Sequence, residues 1–196
     1  MFYYEPKWKS LMANTVGPIF TPEQCQDIIN MGHQQKSEDA RVGDKKGIKE
    51  GKYDTKMRIT TISWIPFPAL PEMYKAIEKS MLQANRNHFG YEDMQLTEPA
   101  QFTEYPKGGF YDWHIDAEIT GVNEPPVRKI SMTILLSNAS EFEGGDLEFM
   151  AEGNKPPQLL QGQAIYFCSL IRHRVAKVKK GVRRSLVMWF GGPPFK

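Results

Sequence analysis

Two imidazoles and one carboxylate in this chain have the types and spacing to hold a divalent metal ion. His114 and Asp116 close the run Tyr105-Pro-Lys-Gly-Gly-Phe-Tyr-Asp-Trp-His-Ile-Asp116. On a β-strand, residues two apart point to the same face, so ring and carboxylate would meet on one side. A second imidazole, His173, lies far downstream in Ile171-Arg-His-Arg-Val175. If the fold returns it to the pair, two histidines and a carboxylate occupy one face of an ion. The open positions opposite are those of a non-haem Fe(II) oxygenase, with room for a bidentate co-substrate and dioxygen. With zinc the same ligands would make a tetrahedral site with one water, suited to hydrolysis. The three ligands do not separate these chemistries, and His-x-Asp triplets arise often by chance.

The basic run after His173 bears on the choice. Lys177, Lys179 and Arg183 share one parity, and Gly181 is placed to break the phase by a bulge or tight turn. Beyond it, Arg183 and Ser185 would share a face of an otherwise apolar strand. A guanidinium pointing into a barrel needs a carboxylate, because an unpaired buried charge is costly. No acid of the chain is evident at a matching position, and the distal carboxylate of a bound dicarboxylate would serve. The alternative is that 177–184 is a solvated basic turn, which suits Lys179, Lys180 and Arg184.

With these residues in view, the segment 97–190 resembles the 2-oxoglutarate/Fe(II)-dependent dioxygenases, in particular the prolyl 4-hydroxylase-like branch with its PKHD-type hydroxylases. Tyr105-x-x-Gly-Gly-x-Tyr-x-x-His114-x-Asp116 is similar to the opening motif of that family. Arg128-Lys-Ile-Ser-Met-Thr-Ile-Leu-Leu-Ser-Asn138 and Glu143-Gly-Gly-Asp-Leu147 resemble its central strand pair. Gln163-Ala-Ile-Tyr-Phe-Cys-Ser169 resembles the strand leading to the distal histidine, and His173 followed by Arg183 and Ser185 the closing motif. Met57-Arg58 through Trp64-Ile-Pro66 is similar to the strand that precedes the core.

The resemblance implies an α+β fold: a double-stranded β-helix, or jelly-roll, with N-terminal helices packed on the outer face of its major sheet. It implies Fe(II) on His114, Asp116 and His173, with 2-oxoglutarate and dioxygen as co-substrates and ascorbate to keep iron reduced. Arg183 would pair with the distal carboxylate of 2-oxoglutarate, helped by the hydroxyls of Tyr105 and Ser185, with Leu147 and Val175 lining that pocket. The implied reaction hydroxylates a C–H bond, first a prolyl residue in a peptide or protein, and releases succinate and carbon dioxide. Alternatives are another amino-acid side chain, a small molecule, or a catalytically silent binding module. Arg58, Trp64, Tyr111 and Trp113 would form a groove for an extended peptide, though aromatics beside a metal site are also ordinary packing. Two positions depart from the pattern: Arg183 where the family often has Lys, and Lys177 where many members have Pro.

The elements that must position these groups are partly legible. Thr21-Pro-Glu-Gln24 reads as a capping box with Pro at the first helical position, and Cys25, Ile28 and Ile29 follow at helical spacing. The spacing predicts a helix over Pro22–Gln34. Residues 35–56 read as a polar loop, either solvated or an active-site flap. A strand over 57–65 follows, then a helix over 70–89 ended by Gly90. His33 and His88 sit near helix ends and are read as structural. Strands are then expected over 97–105, 109–116, 128–137, 146–150, 163–167, 173–176 and 184–190. Gly144-Gly145, Gly162 and Gly181 read as turns or bulges. One domain over 1–196 is expected, 1–96 supplying helical support and 97–196 the β-helix core.

Composition limits the partners. A formal net charge of +2 carries no phosphate footprint for nucleic acid. A nucleic-acid demethylase of the same superfamily would also be expected to show a second arginine within 186–190, which contains none. A cupin-type zinc or manganese enzyme would present His-x-His in place of His-x-Asp. Two cysteines, Cys25 and Cys168, make neither a disulfide framework nor a thiolate metal site, and fit a reducing, cytoplasmic setting. The first residues lack the apolar region of a signal peptide, and no run reaches membrane-span length. The chain is therefore expected to be soluble and intracellular, a monomer or weak dimer.

Overall fold

A computed structural model describes residues 10–39, 57–117, 126–150 and 158–194. Most of the expected flap thus lies outside the described residues; of 35–56 only 35–39 is described. The first strand, β1 (Met12–Asn14), was not expected. It is three residues long and exists through pairing with a strand about 150 residues away, so no local pattern announces it. α1 (Pro22–Gln34) coincides with its expected bounds. The Thr21 hydroxyl accepts from Gln24 N, and Thr21 N donates to Gln24 Oε1 at 2.9 Å, closing the capping box.

The next strands are β2 (Glu38–Asp39), β3 (Arg58–Ile59) and β4 (Thr61–Ile65). The single strand expected over 57–65 is split at buried Thr60, whose hydroxyl donates to Glu104 O, and its halves join different sheets. The next helix also departs from its expected span. α2 (Pro71–Ala84) ends early and continues as a π-helical turn, Asn85–Phe89, stopped by left-handed Gly90. The cause is Asn85, whose amide bonds both Tyr91 O (2.8 Å) and Tyr91 N (2.9 Å) while its carbonyl accepts from Gly90 N.

The remaining strands are β5 (Gln95–Leu96), β6 (Ala100–Tyr105), β7 (Phe110–His114), β8 (Val127–Leu135), β9 (Phe142–Gly144), β10 (Leu147–Phe149), β11 (Ala164–Cys168), β12 (His173–Val175), β13 (Val178–Gly181) and β14 (Arg183–Gly192). They form an eight-stranded antiparallel sheet, ordered β1-β11-β8-β14-β6-β4-β2 with β5 added to β14. A four-stranded sheet, β10-β12-β7-β3, and the separate pair β13-β9 complete the jelly-roll.

Alternation divides the major sheet into two working faces. Phe102, Ile130, Met132, Ile134, Tyr166, Leu186, Met188 and Phe190 point outward and pack with Cys25, Ile28 and Ile29 of α1 and Met73, Ile77 and Met81 of α2. A fully buried side chain of this kind contributes about 1.5–3 kcal/mol. Tyr74 adds a polar tie: its hydroxyl donates to Ile65 O and accepts from Ala100 N at 2.8 Å. A smaller cluster, including Tyr105, Leu147, Phe149, Ile165, Phe167 and Val175, fills the space between the sheets. Beside it the inner face is polar, with Gln101, Thr103, Ser131, Thr133, Arg183 and Ser185 all buried.

The run 177–184, for which a solvated turn was the alternative reading, contains β13. Lys179 and Lys180 are exposed, and Lys180 pairs with Glu143 of β9 at 3.1 Å. Gly181 has φ +70°, and a Cβ there would lie 1.8 Å from Glu141 O, so the phase break before Arg183 requires glycine. No helix among the described residues is long and apolar enough to cross a membrane.

Candidate active site

His114 ends β7 and His173 opens β12, and the two are directly paired across the minor sheet. Asp116 lies beyond the strand, in a turn held by Ser169, whose carbonyl accepts from both Asp116 N and Ala117 N at 3.0 Å. The expected extension of the strand through Asp116 is therefore corrected: the backbone turns to meet Ser169, and this turn, not strand alternation, aims the carboxylate. Asp116 Oδ1 lies 3.6 Å from His114 Nε2, and Oδ2 lies 3.6 Å from His173 Nε2. All three ligand atoms fall within 4.8 Å of one another. No other His, Cys, Asp or Glu among the described residues joins them. His33 instead lies 3.1 Å from Glu104, and His88 sits in the π-helical turn.

The second nitrogen of each ring is already committed. His114 Nδ1 lies 2.7 Å from Asp112 O, and His173 Nδ1 lies 2.9 Å from Ile171 O. A carbonyl can only accept, so each Nδ1 carries a proton and Nε2 is the ring nitrogen left to a metal. Burial, reinforced by the neighbouring His173, pushes the His114 imidazole down to about 4 against the opposing pull of Asp116. Burial would raise Asp116, but His173 and His114 outweigh it, helped by Ser131 and Trp189, and its carboxyl lies below the usual range. Trp189 Nε1 is buried without a well-formed hydrogen bond, so its help is electrostatic. At neutral pH the site thus holds a neutral His114 beside a charged carboxylate, the donor states a divalent metal requires.

Aromatic rings wall the site. Tyr111 stacks on His114 with centroids 3.5 Å apart and planes at 13°, while Phe167 and Phe149 stand 4.6 and 6.0 Å from the His173 ring. Burial lifts the Tyr111 phenol to about 12. The Arg58 guanidinium lies over the Tyr111 ring, 4.3 Å from its centroid.

Arg183 opens β14 opposite Tyr105 and is 3% exposed. It donates to Ser185 Oγ at 3.1 Å and lies 5.7 Å from the Tyr105 ring centroid. Among the described residues it makes no ion pair with a carboxylate. Gly145, at φ +70°, makes room for it, since a Cβ there would lie 2.9 Å from Arg183 Cδ. Leu147 and Val175 are buried cross-strand partners in the cluster that contains Tyr105.

Of the four residues expected in a substrate groove, the structure brings three toward the interior. Arg58 and Tyr111 stack there, and Trp64 lies opposite Gln101 and 6.2 Å from Trp189. Trp113 is placed apart from them. It packs under Arg174, which pairs with Glu148 at 2.6 Å, on the outer face of the minor sheet. The reason is a bulge: Tyr111 and His114, three apart, oppose Val175 and His173, two apart, so both turn inward and Trp113 turns out. Trp189 and Phe167 are further site residues, and both were within reach of strand alternation. Ser169 was not, because it acts through its carbonyl.

The donor set fits a divalent metal, and a buried guanidinium without an ion pair among the described residues fits a ligand carboxylate. Comparison with known proteins agrees with this fit. Residues 100–191 match the model of the 2OG-Fe(II) oxygenase superfamily. A PKHD-type hydroxylase of Parvibaculum lavamentivorans is 37% identical over 95 residues, covering 46% of this chain and 42% of the relative. One of Thermosynechococcus vestitus is 32% identical over 123 residues, covering 60% and 55%. The chain thus matches about half the length of these curated relatives. A Pseudomonas putida prolyl-4-hydroxylase superposes with TM-score 0.68 at 20% identity over 94% of each chain. A viral collagen prolyl hydroxylase from Paramecium Bursaria Chlorella virus-1 does so with TM-score 0.70 at 18% identity, covering 96% of this chain and all of that one. Residues 100–191, which carry His114, Asp116 and His173, are thus similar to the 2OG-Fe(II) oxygenase superfamily, and the chain shares the fold of the two solved hydroxylases.

Proposed function

We propose that this protein is a 2-oxoglutarate-dependent hydroxylase that inserts one oxygen atom of dioxygen into a substrate C–H bond. The observation that carries the reading is the pairing, inside one barrel, of the His114/Asp116/His173 cluster with a buried Arg183 that makes no ion pair among the described residues. A zinc hydrolase accounts for the first and leaves the second without a purpose. When bound, Fe(II) and 2-oxoglutarate supply the oxidising chemistry, and the second oxygen atom of dioxygen leaves in succinate as carbon dioxide is released.

The chain's own residues orient and shield. His114 and His173 hold iron through Nε2, fixed by carbonyls that accept from Nδ1. Asp116 supplies the single negative charge. Arg183 receives the distal carboxylate of 2-oxoglutarate, with Tyr105 and Ser185 offering hydroxyls and Leu147 and Val175 flanking the carbon chain. Phe149 and Phe167 keep water from the His173 side. Tyr111, Arg58 and Trp64 face the substrate. The names of the relatives, PKHD-type and prolyl hydroxylases, support a prolyl residue in a peptide or protein as substrate. In this reading the enzyme works in the cytoplasm as a monomer or weak dimer, with ascorbate maintaining ferrous iron.

The test is a proline-rich peptide library incubated with Fe(II), 2-oxoglutarate and ascorbate, read by mass spectrometry for a product one oxygen atom heavier. Succinate should form in step with product and vanish in His114→Ala. Hydrolysed peptide without succinate would support the zinc reading.

A further inference from the structure

The barrel interior contains a second buried guanidinium for which the co-substrate has no use. Arg58 is 7% exposed, yet among the described residues it makes no ion pair, and its Nε has no hydrogen-bond partner. Among the described residues its one polar contact is a 3.3 Å bond from Nη2 to Gln101 Oε1. That bond crosses the barrel, because Arg58 belongs to the minor sheet and Gln101 to the inner face of the major one. The side chain therefore points into the site, over the Tyr111 ring that lies against His114.

Charge counting shows what is missing. A ferrous ion with Asp116 leaves one positive charge, the two carboxylates of 2-oxoglutarate turn this to one negative, and Arg183 cancels it. Arg58 remains, and among the described residues this buried cation has no carboxylate to offset its desolvation. We infer that Arg58 receives a carboxylate of the substrate, so that the group hydroxylated belongs to a free amino acid or a chain-terminal residue. Gln101, in hydrogen-bonding range of both Arg58 and Thr103, orients the guanidinium, whose planar fork suits bidentate pairing with a carboxylate. Arg58 and His114 both lie against the Tyr111 ring, a spacing that a single amino acid can span between its carboxylate and its side chain.

This inference rests on the hydroxylase reading, and one calorimetric series separates the two. The full chain is loaded with Mn(II), which occupies the site without turnover, and titrated first with 2-oxoglutarate. The loaded protein is then titrated with a panel of free L-amino acids and proline-ending dipeptides, each beside its C-terminal amide. At least one free acid should bind about thirtyfold or more tightly than its amide. Arg58→Gln should erase that preference while leaving 2-oxoglutarate binding within about twofold, and Arg58→Lys should retain part of it. The wild-type comparison of acid with amide needs no variant to fold. If 2-oxoglutarate fails to bind, the hydroxylase reading falls and this inference with it. If it binds but acids and amides are equivalent, or no acid binds, only this inference is overturned.

Discussion

Replacing Arg183 with methionine should move ligand affinity and metal-free stability in opposite directions. The guanidinium is wholly desolvated, donates one bond to Ser185 and has no carboxylate partner among the described residues. Desolvation lowers its proton affinity, with Tyr105 and Asp146 opposing. Removing it from the empty protein therefore sheds a buried cation, and replacing such a charge with an apolar side chain of similar volume is neutral or stabilising by about 1–4 kcal/mol. The loaded protein behaves otherwise. Deleting one partner of a buried, hydrogen-bonded charge pair costs about 2–5 kcal/mol, which is roughly thirtyfold to several thousandfold in affinity. Urea titration of the metal-free protein and calorimetric titration of the Mn(II) protein with 2-oxoglutarate measure the two effects. Methionine should leave the unfolding midpoint unchanged or higher and weaken 2-oxoglutarate by at least the lower figure. A destabilised apoprotein with unaltered 2-oxoglutarate affinity would refute the reasoning and make Arg183 a structural residue.

The other predictions are shorter. His114→Ala should lower Mn(II) affinity by at least about a hundredfold in a competition assay, since it removes one of three ligands. The metal-free wild type should lose stability as pH falls from about 6.5 toward 4. In that window unfolded His114 is protonated and native His114 is not, so unfolding takes up a proton; full stability lies above 6.5. The loss is on the order of 2–3 kcal/mol, and chemical denaturation of His114→Gln at several pH values should show a shallower slope. Gly145→Ala should weaken 2-oxoglutarate binding more than metal binding, because its methyl meets Arg183 Cδ. Thr21→Ala should cost about 1 kcal/mol of stability and leave both affinities alone, since the cap it removes is far from the barrel interior.

The sequence was most informative where a local rule acts alone. The capping box at Thr21 predicts α1 to the residue, and alternation correctly puts Arg183 and Ser185 on one face beyond Gly181. It was least informative where two distant segments negotiate. Asp116 is aimed by the Ser169 carbonyl, which belongs to the turn after β11. Trp113 and Tyr111 have the same parity and were expected together; the bulge opposite β12 sends one outward and the other against His114. α2 looked continuous to Gly90 because Asn85 is an ordinary helix residue until its side chain finds Tyr91. Arg58 was legible as a site residue by resemblance, but that it makes no ion pair among the described residues is a property of the closed barrel.

The link between fold and site runs through one strand. In β14 the odd positions Arg183, Ser185 and Trp189 face the interior, and the even positions Leu186, Met188 and Phe190 face the helices. A slip of one residue would exchange these sets, sending the guanidinium into the apolar layer and three large side chains into the polar one. The register is therefore held by energy spent on the side away from the chemistry, where α1 and α2 cover the even positions. This division explains how the inner face of β14 can keep a buried Arg183 that makes no ion pair among the described residues. Its desolvation is offset by the apolar core on the opposite face, so substitutions that loosen α1 against β6 should lower stability long before they disturb the charge pattern around His114.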